Sequence, residues 1–401
     1  MFQYRKITND MYYIGANDRR ISLFESAYPV PYGISYNSYF VDDKKTVVLD
    51  TVDKSVAKTY FENISALLKG RTLDYLIVNH MEPDHSAMID ELISKYPQVK
   101  IVCNQKSKGL ILQFCHACYE DQFLIVNEGD TLNTGAHTFS FYFAPMVHWP
   151  EVMVTYDSLD KVLYSADAFG TFGALSGNLF ADETDFFNKG IDEARRYYTN
   201  IVGKYGPQVS ALLKKAESLD ISMICALHGP IFRKDLNKII EKYLKWATYT
   251  PEDKEVVIAY ASIYGNTENA AQILANLLAE KGIRVNMYDT SVTHYSEILS
   301  QCFRCSHVIL AAPTYNGGLF TSMEQLLSEI KAHNLSGRTF GFIENGSWGP
   351  LAAKIMKETV SSLKNSTILE PTVTVKSSLK EIQLESLADL ANNIAQSIKN
   401  S

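Results

Sequence analysis

Apolar and polar positions along this chain follow two regimes that meet near residue 250. In the first regime, apolar or alternating runs are short and irregularly spaced. Residues 36–41 and 46–50 read as paired strands across a polar turn at 42–45. An amphipathic helix follows over 54–69, closed by Gly70. The run Tyr75-Leu76-Ile77-Val78 reads as a buried strand, and helix 86–96, strand 100–103 and helix 107–119 come after it. Strands are predicted over 123–126, 138–143, 152–156 and 162–165, helices over 188–205 and 207–218, and a last strand over 223–227. This mixture predicts a sandwich of sheets covered by helices.

Helix 235–246 leads into Tyr249-Thr250-Pro251-Glu252-Asp253, which has the proline and charge of a linker. Two domains are therefore expected, 1–250 and 251–401. Beyond the linker the pattern becomes regular. Strands at 256–260, 284–288, 307–312, 339–343 and 372–375 are spaced by helices at 269–281, 322–332, 351–363 and 381–398. Five strands in this rhythm predict a doubly wound parallel sheet.

Bulk properties narrow the function. A net charge of -7 without a Lys/Arg block argues against a nucleic-acid partner. No apolar run approaches the ~20 residues of a membrane helix, and the N-terminal residues lack a signal core, so a cytoplasmic protein is expected. Six cysteines are too sparse for a disulfide framework. They include two C-x-x-C pairs, Cys115/Cys118 and Cys302/Cys305, which lack a glycine-rich knuckle and read as ordinary helical or core pairs.

The densest chemistry follows strand 75–78. Asn79-His80-Met81-Glu82-Pro83-Asp84-His85 holds four metal-ligand side chains in six positions. Pro83 disfavours helix at Glu82, so all four are expected on a loop. Three more candidates stand at or just after strand ends, beside Gly or Pro: His148, Asp167 and His228. The other histidines, His116, His137, His294, His307 and His333, read as structural or surface residues.

The pattern His-x-Glu-x-Asp-His followed by His, Asp and His resembles the metallo-β-lactamase superfamily, with Glu82 in place of a usual histidine. Within that superfamily it resembles the flavodiiron proteins, over nearly the whole chain. Histidine-rich shells suit hydrolytic zinc, whereas two histidines and a carboxylate suit non-haem ferrous iron. The resemblance implies that His80, Glu82 and His148 bind one iron, that Asp84, His85 and His228 bind the other, and that Asp167 bridges them. These seven residues would also be the catalytic ones. In some relatives the histidine equivalent to His85 does not bind iron.

Three loops of the second region point to a second cofactor. Ser262-Ile263-Tyr264-Gly265-Asn266-Thr267 joins the first strand to its helix and offers hydroxyl and amide groups to a phosphate. It has no lysine, so it is not an NTP-binding loop. Pro313-Thr314-Tyr315-Asn316-Gly317 and Asn345-Gly346-Ser347-Trp348-Gly349 follow later strands, at the end where such sheets bind ligands, and each carries an aromatic for a flat ring. All three resemble the FMN-binding loops of flavodoxin.

The family resemblance thus implies an N-terminal αββα sandwich fused to a flavodoxin-like domain. It implies FMN, two irons, and reduction of O2 to water or NO to N2O. A reduced flavin and a diferrous pair hold four electrons, as O2 needs to become two waters. A head-to-tail homodimer or tetramer is expected. No cysteine-ligated rubredoxin segment follows residue 400, so a separate electron donor is expected, rubredoxin foremost or a reduced deazaflavin. Trp149, Phe169, Tyr197 and Tyr198 are candidates for the substrate wall, although core packing explains each more simply. The alternatives are a zinc hydrolase joined to a flavodoxin-like module, which Glu82 disfavours, and an electron carrier with a vestigial metal site.

Overall fold

The computed structural model describes residues 2–116 and 120–400. They fall into two compact units, 1–198 with 207–244 and 199–206 with 245–401.

In the first unit two sheets face one another. One has seven strands, in the order Arg5–Lys6, Met11–Tyr13, Tyr39–Asp42, Thr46–Leu49, Tyr75–Ile77, Lys100–Cys103 and Phe123–Ile125. Its N-terminal strands are antiparallel, and it becomes parallel from Thr46–Leu49 onward. The other has five, Thr131–Asn133, Thr138–Phe143, Met153–Asp157, Val162–Tyr164 and Met223–Cys225, of which only the last pair is parallel. Tyr39, Val41, Leu49, Ile77 and Val102 of one sheet meet Phe139, Phe141, Met153, Tyr164 and Cys225 of the other in one buried core. Helices Ala57–Leu68 and Gln105–Phe114 bury one face each against the first sheet. All the segments that carry the candidate ligands leave the sheets at one end of the sandwich, because parallel strands share a carboxyl end and the 144–152 loop returns there.

Several elements differ from the sequence expectation. Glu82 is extended (ψ 140), as a residue before proline should be, but Pro83–Ser86 forms a single helical turn. Proline is well suited to the first helical position, so Asp84 and His85 sit on that turn rather than on a loop. The helix expected over 86–96 is confined to Ile89–Lys95. The one expected over 188–205 breaks into Phe186–Lys189, Ile191–Tyr197 and a widened and then tightened turn over 198–205, with Gly190 at the first break. The end of the helix expected over 107–119, with Cys118, lies outside the described residues.

The second unit is a parallel sheet in the order Val285–Asp289, Asp253–Tyr260, Cys305–Tyr315, Thr339–Asn345, with Thr367–Ile368 and Val373–Val375 both pairing on the outside of Thr339–Asn345. This is the doubly wound order expected, with the fifth strand split in two. Helices Asn266–Glu280 and Glu381–Asn400 pack on each other and help enclose the core; Tyr295–Arg304, Thr321–Ala332 and Ala352–Ser361 form a second packed set. Burial on both faces explains the unbroken apolar run in Cys305–Tyr315. Helix Tyr295–Arg304 was not expected. It is amphipathic, and His294 caps it by accepting from the Ser296 amide. Cys302 and Cys305 are buried in this core, and among the described residues no cysteine joins a metal-ligand cluster. No helix of the described residues is long and apolar enough to cross a membrane.

Candidate metal centre and cofactor cleft

The buried carboxylate of Asp50 begins the site. It accepts from the Asn79 amide (2.7 Å), the Asn79 side chain (2.8 Å) and the His80 amide (3.2 Å). These bonds end the strand ladder and turn the chain inward. Burial raises the Asp50 pKa to about 6, with partial relief from those donors. Asn79 Oδ1 accepts from Thr155 Oγ1 at 2.7 Å, and its carbonyl accepts from the Met153 amide at 3.0 Å, so the first ligand loop is stitched to the second sheet. Ser86 Oγ donates to Met81 O, and Thr51 donates twice to His85 O, fixing the helical turn. At the far side Asn37 donates to the carbonyls of Ala226 and Gly229. Gly229 has φ +78, and a Cβ there would lie 2.6 Å from Thr171 Cβ, so glycine is required just after His228.

All seven expected ligands converge. His80, Glu82, His148 and Asp167 form one cluster, and Asp84, His85 and His228 another. Nε2 of His80 lies 3.4 Å from Glu82 Oε2 and 3.2 Å from Asp167 Oδ2, and Nε2 of His148 is 3.1 Å from both. In the second cluster Asp84 Oδ2 is 3.4 Å from His85 Nε2 and 3.2 Å from His228 Nε2. The other oxygen of Asp167, Oδ1, stands 3.3 Å from His85 Nε2 and 3.9 Å from His228 Nε2. Asp167 thus gives one oxygen to each cluster. Two donors bound ~2.1 Å from one metal at ~90–110° stand ~3.0–3.4 Å apart, which is the spacing within each set.

Two further observations fit a pair of cations here. Asp84 Oδ1 and Oδ2 and Asp167 Oδ1 are buried without a hydrogen bond. Nε2 atoms of His85 and His228 face each other at 3.0 Å, an arrangement that an ion between them resolves. The field is strongly negative. Burial opposes charge on His80, but Asp167, Glu151 and Glu82 outweigh it and raise its pKa well above the usual value. The same contest raises His148 to about 9. Conversely, burial would raise Glu82 and Asp167, yet the facing histidines hold both below the usual carboxylate range. Three carboxylates and four imidazoles in a dry pocket are a cation trap.

Sequence reasoning missed the groups that aim these ligands. Glu151, fully buried, lies 3.0 Å from His80 Nδ1 and accepts from the Met81 amide. The carbonyl of Ser35 is 2.7 Å from His228 Nδ1. Glu25, solvent-accessible on the hairpin 23–29, reaches Glu82; desolvation of its carboxyl and the charge of Glu82 push its pKa up to about 8. Only Glu151 left a trace in the sequence, as a carboxylate three positions after His148. Of the wall candidates, half-buried Trp149 packs edge-on to His80 and Tyr197 packs on His228, whereas Phe169 and Tyr198 pack on Tyr243.

In the second unit the three expected loops line one cleft of about 500 Å³. Ser262, Ile263, Tyr264, Asn266, Thr267, Pro313, Thr314, Asn316, Gly317 and all of 345–349 face it. Gly265 and Tyr315 do not line it. Gly265 instead caps the helix with φ +82, and Tyr315 packs on Phe320. Ser377 is an addition; it exchanges backbone–side chain bonds with Asn345 and donates to Ser347 Oγ. The cleft fits FMN. Its first loop meets a helix N-terminus without any Lys or Arg, as neutral phosphate cradles do, and Trp348 and Tyr264 stand 96% and 90% exposed at its rim, ready for a flat ring.

Comparison with known proteins agrees with both units. The family model described as ODP family beta lactamase matches residues 34–229, and the flavodoxin model matches 258–388. The nitric oxide reductase of Moorella thermoacetica is 30% identical over 98% of each chain. The rubredoxin oxygen:oxidoreductase of Desulfovibrio gigas superposes with a TM-score of 0.93 at 29% identity, over 99% of each chain. The flavodiiron protein of Giardia intestinalis gives 0.91 at 25% identity, over 100% of this chain and 98% of that one.

Proposed function

The chain belongs to the flavodiiron proteins, an oxidoreductase family with FMN and a non-haem diiron centre, and from that premise we propose that it reduces O2 to water, NO to N2O, or both. The observation that carries this reading is the division of Asp167 between two clusters, each completed by histidine and a carboxylate, with Glu82 where a hydrolase has histidine. In our proposal His80, Glu82 and His148 hold one iron, Asp84, His85 and His228 the other, and Asp167 both. FMN lies in the cleft of the three loops.

Bound there, the reduced flavin and ferrous pair supply the electrons. The chain's own residues do the rest. Glu151 and the Ser35 carbonyl fix Nδ1 of His80 and His228 as the protonated nitrogens, so each Nε2 lone pair faces the cluster. Asp167 holds the two halves in register. Trp149 and Tyr197 shield the histidines from bulk water.

A separate redox protein delivers the electrons in this reading. The name of the Desulfovibrio relative supports rubredoxin as that donor. Two chains pair head to tail, so that the flavin of one serves the irons of the other, as a dimer or a tetramer of dimers. The free cysteines support a reducing, cytoplasmic setting. Steady-state consumption of O2 and of NO by the iron- and FMN-loaded protein, driven by one reduced rubredoxin, tests the proposal. Consumption of neither gas, or two zincs and no iron on metal analysis, overturns it in favour of a carrier or a hydrolase.

A further inference from the structure

A third cluster stands at the other end of the sandwich. Asp10 precedes strand Met11–Tyr13 of the seven-stranded sheet, His137 precedes Thr138–Phe143 of the five-stranded sheet, and Asp160 lies in the turn before Val162–Tyr164. One ligand atom from each lies within 4.8 Å of the others. Sequence spacing gives no hint of this, since the residues come from three turns brought together only when the sheets stack.

His137 is completely buried and held from two directions. Its amide and that of Ala136 donate to Asp43, which burial alone would raise but which these and neighbouring donors lower to about 2. Its ring Nδ1 is 2.8 Å from the buried carboxylate of Asp157. A carboxylate accepts only, so Nδ1 carries a proton, and Nε2 is turned toward Asp10 and Asp160. This carboxylate–histidine pairing is the usual support of a metal-bound imidazole. Nε2 is 3.2 Å from Asp10 Oδ2 without a well-aligned hydrogen bond. Burial opposes charge on the ring, but Asp157 and Asp10 raise its pKa to about 9, so a metal bound there displaces a proton from Nε2. Oδ2 of Asp160 is likewise buried without a hydrogen bond. The remaining contact is Thr8 Oγ1 donating to Asp10 Oδ1 at 3.2 Å.

We propose that Asp10, His137 and Asp160 form a third metal site, for a divalent ion of the zinc class, that fastens the two sheets together at the end remote from the iron ligands. One imidazole and two carboxylates suit zinc, with water in the fourth position; the part-exposed Asp10 leaves that position open to solvent. An imidazolium bridging Asp157 and Asp10 is the simpler occupant of the same field. It leaves the buried oxygen of Asp160 unanswered, whereas a metal answers all three donors.

The test begins with iron- and FMN-loaded protein, equilibrated with zinc sulfate and passed through a desalting column. The expected result is one zinc per chain beyond an unchanged iron content. Asp160→Asn and Asp10→Asn should each weaken zinc binding roughly tenfold or more while keeping iron and gas consumption. Zinc-edge X-ray absorption of the wild-type protein should show a single imidazole among oxygen donors, a readout that does not depend on any variant folding. No zinc beyond the iron, equal uptake by the variants, or two imidazoles on the zinc overturns the proposal.

Discussion

Nδ1 of His80 and Oε1 of Glu151 are 3.0 Å apart, and both side chains are wholly buried. Glu151 therefore decides which nitrogen of His80 faces Glu82 and Asp167. It also holds the Met81 amide, so one carboxylate sets both the ring and the loop that carries it.

Removing that carboxylate should loosen the first cluster without touching a proposed ligand. Glu151→Ala is expected to lower iron affinity there by about 10–100-fold, the usual cost of losing a ligand's supporting partner. Iron per chain after a timed chelator challenge measures this, and FMN content should not change. Iron retention equal to wild type would assign Glu151 a packing role only.

Glu82 tests the choice of metal. Glu82→His recreates the histidine-rich shell that suits zinc. Iron retention should fall, zinc retention should rise, and O2 and NO consumption should both drop. Metal analysis beside gas-electrode rates decides it; unchanged iron and unchanged rates would mean that the carboxylate does not select iron.

The clustered side chains were legible because four share one short segment after a strand and the other three stand at or just after strand ends beside Gly or Pro, and a resemblance carried by seven residues is hard to mimic. Their supports were not. Ser35 lies 193 positions from His228, and acts through a carbonyl that every residue possesses. His137 looked like an isolated histidine because Asp157 reaches it only from the neighbouring paired strand and Asp10 only from the facing sheet. Pro83 illustrates a local rule applied to the wrong side: it excludes helix at Glu82 but favours helix from Pro83 onward. Helix Tyr295–Arg304 has a strong apolar face, but it starts on a histidine cap, a signal weaker than the usual Ser, Thr or Asp.

Trp348 reports on the cofactor cleft. An indole that is 96% exposed contributes little to folding, so Trp348→Ala should leave thermal stability of the apoprotein unchanged. If the ring covers FMN, the flavin should bind about tenfold more weakly, from the ~0.5–1.5 kcal/mol of aromatic stacking plus lost apolar contact. Flavin fluorescence titration measures this. Equal affinity in the variant would place the isoalloxazine ring away from this loop.

His307 gives the second unit an acid sensitivity of its own. It is buried in strand Cys305–Tyr315, with Nδ1 2.8 Å from Ser306 Oγ and Nε2 2.9 Å from Ser397 Oγ. Two hydroxyls satisfy a neutral ring, and among the described residues no carboxylate forms an ion pair with it. Burial accordingly lowers its pKa to about 4, from ~6.5 in the unfolded chain. The folded state then binds fewer protons than the unfolded state between these values, so His307 costs no stability above pH ~6.5 and progressively destabilises the fold as pH falls toward 4. His307→Asn removes the titrating group while keeping a polar side chain. Melting temperatures followed from pH 7 to 4 should fall less steeply in the variant, and the two curves should run parallel above pH ~6.5. Parallel curves across the whole range would show that His307 keeps an ordinary pKa in the folded protein.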